Sequence, residues 1–293
     1  MLIASALLLA TPAMASSIGI SPGEIIIEAG ARWGKAKVFN NGNEAVTLRL
    51  SLVDMMMTSS GALEPVKAGA PDAPSPDTTN PEADYFAANK LRVTPSHLEI
   101  PPGKSHDIKF LVRPEGQIVN GSFHTHLNVT IIPTFDQYSL SVPDTPAGGG
   151  LSVGALPVFN FAYPVWLHRG PIDPVTITLS DPKLIQPKDP TSKINAVSVL
   201  VTRQGTGRFA SELSLYFKPD GDMKEVKIGN IKRFTIYPEI SALRQHISFS
   251  PDMLEKASLT SDDVISSPGS IRVQLEQTSR KTPPNVVLLI WRN

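Results

Sequence analysis

Alternation of apolar and polar positions dominates the chain. In residues 91–133, LRVTPSHLEIPPGKSHDIKFLVRPEGQIVNGSFHTHLNVTIIP, the side chains of Ile108, Phe110 and Val112 alternate with Asp107, Lys109 and Leu111. Phe123, Thr125, Leu127, Val129 and Ile131 then alternate with polar neighbours. A period of two sets one row against a core and the other toward water, as in an antiparallel sheet with one solvated face. A Pro-rich turn and a Gly turn divide the segment into strand, turn, strand, turn, strand. Before it, residues 20–28 read as an edge strand started at Pro22-Gly23, and a strand is predicted at 35–39. Asn40-Asn41-Gly42-Asn43 supplies turn residues that tolerate positive φ. The run AVTLRLSLVDM then alternates through Val46, Leu48, Leu50 and Leu52.

After Arg169-Gly170-Pro171 the alternation restarts. It passes through Val175, Ile177 and Leu179, then Val197, Val199 and Val201, then Leu213, Leu215 and Phe217. Residues 226–237, Ile271, Val273 and Leu275, and residues 286–291 continue it. Roughly seven short strands make a second sandwich. A short helical turn is predicted near residues 253–259. No short-period repeat is present, so the expectation is all-β, two immunoglobulin-like sandwiches in tandem. Their spans are 16–169 and 170–293, with less than about a tenth of the chain helical.

Two stretches fall outside the pattern. Residues 59–81 are poor in large apolar side chains and hold five prolines; such a run buries too little to offset its ordering entropy and reads as a mobile loop. Residues 143–150, PDTPAGGG, form a second soft connection just before the aromatic-rich LSVGALPVFNFAYPV.

Composition narrows the class. Residues 1–15 carry an apolar run from Leu2 to Ala10 and the small-residue pattern Ala13-Met14-Ala15. An apolar core of about ten residues before such a pattern reads as a secretory signal, since a membrane span needs roughly twenty. The chain has no cysteine, which excludes disulfides, thiol chemistry and a Cys-bound zinc. Lys+Arg equals Asp+Glu at 27 each, so the bulk charge points to neither nucleic acid nor an anionic membrane.

The catalytic inventory is thin. G-x-S-x-G, H-E-x-x-H, P-loop and G-x-G-x-x-G signatures are all missing from the sequence. His124 and His126 stand i, i+2 on one strand face, a spacing for two metal ligands, but no third ligand lies nearby in sequence, and a structural or solvated role is favoured. His97, His106 and His246 sit in turn-like contexts and read as solvated. Asp72, Asp77, Glu82 and Asp84 fall in the loop, where nothing holds them in a fixed geometry. Asp262-Asp263 reads as a surface turn or helix cap, and Met55-Met56-Met57 as core at a strand edge. The expectation is a protein that is not an enzyme and needs no cofactor, metal or small-molecule substrate.

The wording of two segments is narrower than their period. TPSHLEIPPGKSHDIKFLVRP followed by NGSFHTHLNV resembles the first domain of periplasmic pilus-assembly chaperones of the chaperone–usher system. It is most similar to the branch often called archaic, where a Pro-Gly turn, a strand ending in Arg-Pro and a Gly-aromatic-x-x-His-Leu strand follow in this order. TRQGTGRFASELSL resembles the second domain of the same chaperones. The resemblance implies a periplasmic protein that binds a pilus or fimbrial subunit lacking its final strand. It lends that subunit the last strand of domain one and delivers it to an outer-membrane usher. It implies that the donor strand is LSVGALPVFNFAYPV, with Leu156 and Val158 on one face and Phe159, Phe161 and Tyr163 on the other. One set is expected to fill the chain's own core and the other to meet the subunit, with Pro157 and Pro164 interrupting the ladder.

Better-known members of this family hold the subunit's terminal carboxylate with an Arg on the first strand and a Lys on the donor strand. Counted from the motifs, those positions fall on Ile25 (or Glu24) and Val165 here, and neither is basic. Arg169, His168, Arg32 and Lys35 remain as anchor candidates. The competing reading is a structural or adhesive two-domain protein of the cell envelope with the same sandwiches and no strand lending. A carbohydrate-binding sandwich would want exposed aromatic platforms, and the chain offers only Trp33, Trp166 and Trp291 beside its tyrosines.

Overall fold

The computed structural model describes residues 18–66, 85–114, 120–133, 158–172, 174–185, 195–221, 224–276 and 285–291. The first-unit strands are β1 (Ile18–Ser21), β2 (Ile25–Ile27), β3 (Trp33–Asn40), β4 (Val46–Val53), β7 (Leu91–Thr94), β8 (His97–Ile100), β9 (Ser105–Val112), β10 (Gly121–Ile132) and β11 (Asn160–Arg169). Between β4 and β7 lie β5 (Met55–Met57) and β6 (Leu63–Pro65). Then come β12 (Thr176–Ile185), β13 (Ala196–Gln204), β14 (Ala210–Pro219), β15 (Val226–Thr235), β16 (Ala242–Ser248), β17 (Gly269–Leu275) and β18 (Asn285–Trp291), with helices α1 (Pro251–Lys256) and α2 (Ser261–Ser266). The chain divides into two compact units, one of residues 1–53, 87–118 and 124–167, the other of 54–86, 119–123 and 168–293. The signal-like residues 1–15, the soft stretch 143–150 and the loop carboxylates Asp72, Asp77, Glu82 and Asp84 lie outside the described residues.

The first unit is an immunoglobulin-like sandwich of a sheet ordered β1-β3-β9-β7 and a sheet ordered β2-β11-β10-β4-β8. Its core holds much of the row predicted by alternation: Val46, Leu48, Leu50, Ile108, Phe110, Leu127 and Val129 are buried, and Val38, Val165 and Leu167 join them. The first strand changes sheets. β1 pairs antiparallel with β3, whereas β2 pairs parallel with β11. Pro22 and Gly23 stand at the crossing, one lacking a donor and the other a poor strand former, so a single strand cannot run through them. His124 and His126 are buried on β10, and His124 packs on Trp166 with ring centroids 5.3 Å apart.

The second unit packs β12-β13-β16 against β15-β14-β17-β18, again an immunoglobulin-like order of seven strands. It also holds the β5-β6 hairpin, though that hairpin lies in sequence between β4 and β7. The mobile-loop expectation for 59–81 therefore fails at its start, because Leu63–Pro65 pairs with Met55–Met57; residues 67–81 lie outside the described residues. Met56 and Met57 are buried, and the Met57 N–H donates to the buried Glu239 carboxylate at 2.7 Å. That bond gives a short, two-stranded element a tertiary reason to form that sequence periodicity does not report. The predicted helical turn is present as α1, and Asp263 closes a capping box with Thr260 at the start of α2. His97, His106 and His246 are exposed as expected, on strands β8, β9 and β16 rather than in turns, since polar side chains on a solvated face need no loop.

Gly205 has φ +88° and its missing Cβ would lie 2.2 Å from the Pro174 carbonyl oxygen. Gly205→Ala adds left-handed strain of about 1–3 kcal/mol to a backbone clash, so urea unfolding should show a loss of stability in that range or above. On the solvated face of β14 and β17, Tyr216 donates to Glu276 at 2.7 Å and lies under the Arg272 guanidinium, 4.3 Å from its ring. Burial, then the bond and charge of Glu276, push the Tyr216 phenol up to about 12 against the opposing pull of Arg272. A raised folded value favours the neutral phenol, so this contribution is intact below the unfolded value near 10 and fades as pH rises through about 12. Tyr216→Phe should remove that part of the alkaline loss, read as a flatter stability profile between about pH 10 and 12.

Candidate functional site

The site begins with how β11 is held. β10 lies on one side of it, and the Ile131 N–H donates to the Phe159 carbonyl at 3.0 Å. Backbone groups alternate along a strand, so those of Phe161, Tyr163 and Val165 also face β10, and those of Asn160, Ala162 and Pro164 face the other edge. On that other edge β2 meets only Val165, Trp166 and Leu167. Because the pairing is parallel, residues before Ile25 would have to cover residues before Val165. The Pro22-Gly23 crossing carries those residues to the other sheet instead. The outer edge of residues 158–164 is thus left without a strand partner among the described residues.

Side chains follow the same alternation. Phe159, Phe161, Tyr163, Val165 and Leu167 share the core-facing side of β11. Val165 and Leu167 are fully buried in the sandwich, Tyr163 is half-buried, and Phe161 and Phe159 are 43% and 53% exposed. The core-facing row therefore continues past the end of the sandwich as exposed aromatic side chains. Val158, 53% exposed, lies on the opposite side with Asn160 and Ala162. This corrects the expectation that one face of the donor strand fills the chain's own core and the other is free. The division runs along the strand, set by where the sandwich ends. Leu156 and Pro157 lie outside the described residues. Pro164 stands within β11 without breaking it, since its missing N–H falls on the outer edge and costs no bond to β10.

The anchor positions can be checked by register. Ile25 and Val165, counted separately from the motifs, are Cα partners across the β2-β11 pairing and both are buried. The two counted positions therefore lie side by side, and neither carries a cation. Of the remaining candidates, His168 is buried and Arg169 is half-buried at the end of β11. Burial holds the Arg169 guanidinium below its ordinary value, and its Nη1 donates to the His168 carbonyl at 2.8 Å. Arg32 and Lys35 are exposed at the start of the other sheet, Arg32 just ahead of β3 and Lys35 within it. Sequence reading missed the outer-edge backbone of Asn160 and Ala162; the signal for it was Pro22-Gly23, which limits β2 to three residues.

No family model matches the chain, and no curated protein matches it. Solved structures do. The chain is similar to the YadV chaperone at 13% identity over 94% of this chain and 99% of that one, with a TM-score of 0.45. It is similar to a chain of the Salmonella enterica SafA pilin–SafB chaperone complex at 10% identity, 94% and 98% coverage and TM-score 0.44. The chaperone–tip subunit complex of the archaic chaperone–usher Csu pili of Acinetobacter baumannii gives 9% identity, 81% and 91% coverage and TM-score 0.42.

Proposed function

We propose that this protein is a periplasmic chaperone that captures pilus or fimbrial subunits by lending them β11 and passes them to an outer-membrane usher. The observation that carries the reading is the open edge of residues 158–164 beside the exposed rings of Phe159 and Phe161. An unpaired edge flanked by exposed apolar side chains is an aggregation hazard that monomeric proteins blunt with charge, bulges or cover. Here residues 158–164 carry no charged side chain. A partner whose own sandwich lacks a strand offers the complementary defect, a hydrophobic groove and an open ladder. The chain's strand supplies N–H and C=O groups from Asn160 and Ala162, while alternate aromatic side chains, spaced about 6.8 Å apart, enter successive pockets. The sequence motifs TPSHLEIPPGKSHDIKFLVRP and NGSFHTHLNV support the same reading independently.

Since Ile25 and Val165 offer no cation, the subunit terminus is held elsewhere, with Arg169, His168, Arg32 and Lys35 the groups to test. Co-expression of the tagged chain with small secreted proteins encoded beside it, followed by affinity purification, tests the reading. Stoichiometric recovery of a small β-rich subunit that aggregates alone supports it. Recovery of the chain by itself, with the same subunits folding unaided, favours the structural or adhesive envelope protein.

A further inference from the structure

The equal charge totals conceal a local asymmetry on the outer face of β1-β3-β9-β7. Cross-strand register sets Trp33 opposite Leu111, Lys35 opposite Lys109 and Lys37 opposite Asp107. On the next strand Arg92 is opposite Leu111. Of these four cations only Lys37 has a carboxylate among the described residues, Asp107 at 3.9 Å. Lys35, Lys109 and Arg92 are exposed with no acidic partner among the described residues. Like charges directly opposite on one face of a sheet are destabilising, so the Lys35–Lys109 pair works against the fold. Beside it, Trp33 is 53% and Leu111 39% exposed. At the β7 edge of the same sheet an open cavity of about 350 Å³ is lined by Arg92, Arg113, Thr94 and Ser96 over Leu91 and Leu52. Two guanidinium groups and two hydroxyls around one small cavity suit a phosphate oxygen cluster.

We propose that this face docks on an anionic phospholipid bilayer. Lys35, Lys109 and Arg92 are drawn to the surface charge, Trp33 and Leu111 enter the headgroup layer, and the Arg92–Arg113 cavity receives one lipid phosphate. A tryptophan ring beside cations matches the interfacial preference of that side chain and the attraction of basic residues to acidic lipid. An acidic protein face would answer the charge, but it leaves an exposed Trp33 and the Arg92–Arg113 cavity without a use.

The test is co-sedimentation of the whole chain with vesicles of phosphatidylglycerol and phosphatidylcholine, against phosphatidylcholine alone. Binding is expected only to the acidic vesicles and should weaken with salt. It should fall roughly fivefold for each of K35E, K109E and R92A, by more than the removal of an ordinary solvated charge. Trp33→Phe should abolish the blue shift of fluorescence on binding, and R113A should weaken acidic-vesicle binding. K35E also separates docking from structure, because it replaces a like-charge pair by an attractive one and should raise the Tm while binding falls. Equal binding to both vesicle types, no binding, or unchanged binding by the K35E/K109E double variant overturns the proposal. If vesicles fail and immobilised polyglutamate binds in a Lys35- and Lys109-dependent way, an acidic protein partner takes the place of the bilayer.

Discussion

Phe161→Asp should leave the protein folded and weaken subunit capture by on the order of a hundredfold. Phe161 is 43% exposed in the free chain, so the substitution removes little that holds the sandwich together. In a strand-lending complex the rest of the ring is buried, part of the about 1.5–3 kcal/mol that full burial of such a side chain contributes. A carboxylate forced into the same pocket adds a desolvation cost of roughly 2 kcal/mol or more. At about 1.4 kcal/mol per factor of ten, the two together give the predicted loss. The control is Val165→Asp, four residues along the same side of β11. Val165 is fully buried, so there the charge falls in the sandwich core, and soluble protein rather than binding should be lost. Equal thermal melts and equal retention of subunit by wild type and the Phe161 variant would remove β11 as the capturing strand.

A large effect on stability alone is expected at Arg203 in the second unit. Its guanidinium is buried and held by backbone carbonyls: Nη1 donates to Ile236 at 2.6 Å, Nε to Gly205 at 3.2 Å, and Nη2 to Gly207. Burial lowers its pKa to about 10, while the charges of Glu239 and Tyr85 act the other way. The same Glu239 receives the Met57 N–H, so Arg203 belongs to the group of interactions that holds the β5-β6 hairpin in its unit. Arg203→Met keeps much of the volume but strands three carbonyls and the buried Glu239 charge. Removing one member of such a buried set costs about 3–5 kcal/mol, or a fall in Tm of roughly 10 °C or more. A calorimetric melt checks it, and a change below about 1 kcal/mol would mean that solvent reaches the site.

Alternation alone revealed both sandwiches because a solvated sheet face leaves a period of two that few other structures share. Leu48, Leu50, Leu127 and Val129 are readable as core from that period alone. The β5-β6 hairpin was not, since three-residue strands carry no measurable period and this one is held by a distant carboxylate. Strand β11 shows the same limit more sharply. Its two faces follow from the sequence, but the point where Val165 gives way to exposed Phe161 depends on how far β2 extends. That extent is fixed by Pro22-Gly23, far away in the chain. The opposition of Lys35 and Lys109 likewise needs the β3-β9 register, which no local pattern encodes.

Hydrogen exchange at single amides tests strand lending most directly. In the free protein the N–H groups of Phe161 and Tyr163 face β10, whereas those of Asn160 and Ala162 face the open edge. When a subunit binds, the account predicts that Asn160 and Ala162 slow by about a hundredfold or more, as amides do when they enter a stable ladder. Phe161 and Tyr163, already in a ladder, should change far less. An alternating pattern of new protection along residues 160–163 is what a strand added in register produces. Uniform protection of all four, or none at Asn160 and Ala162 in a saturated complex, would contradict the account.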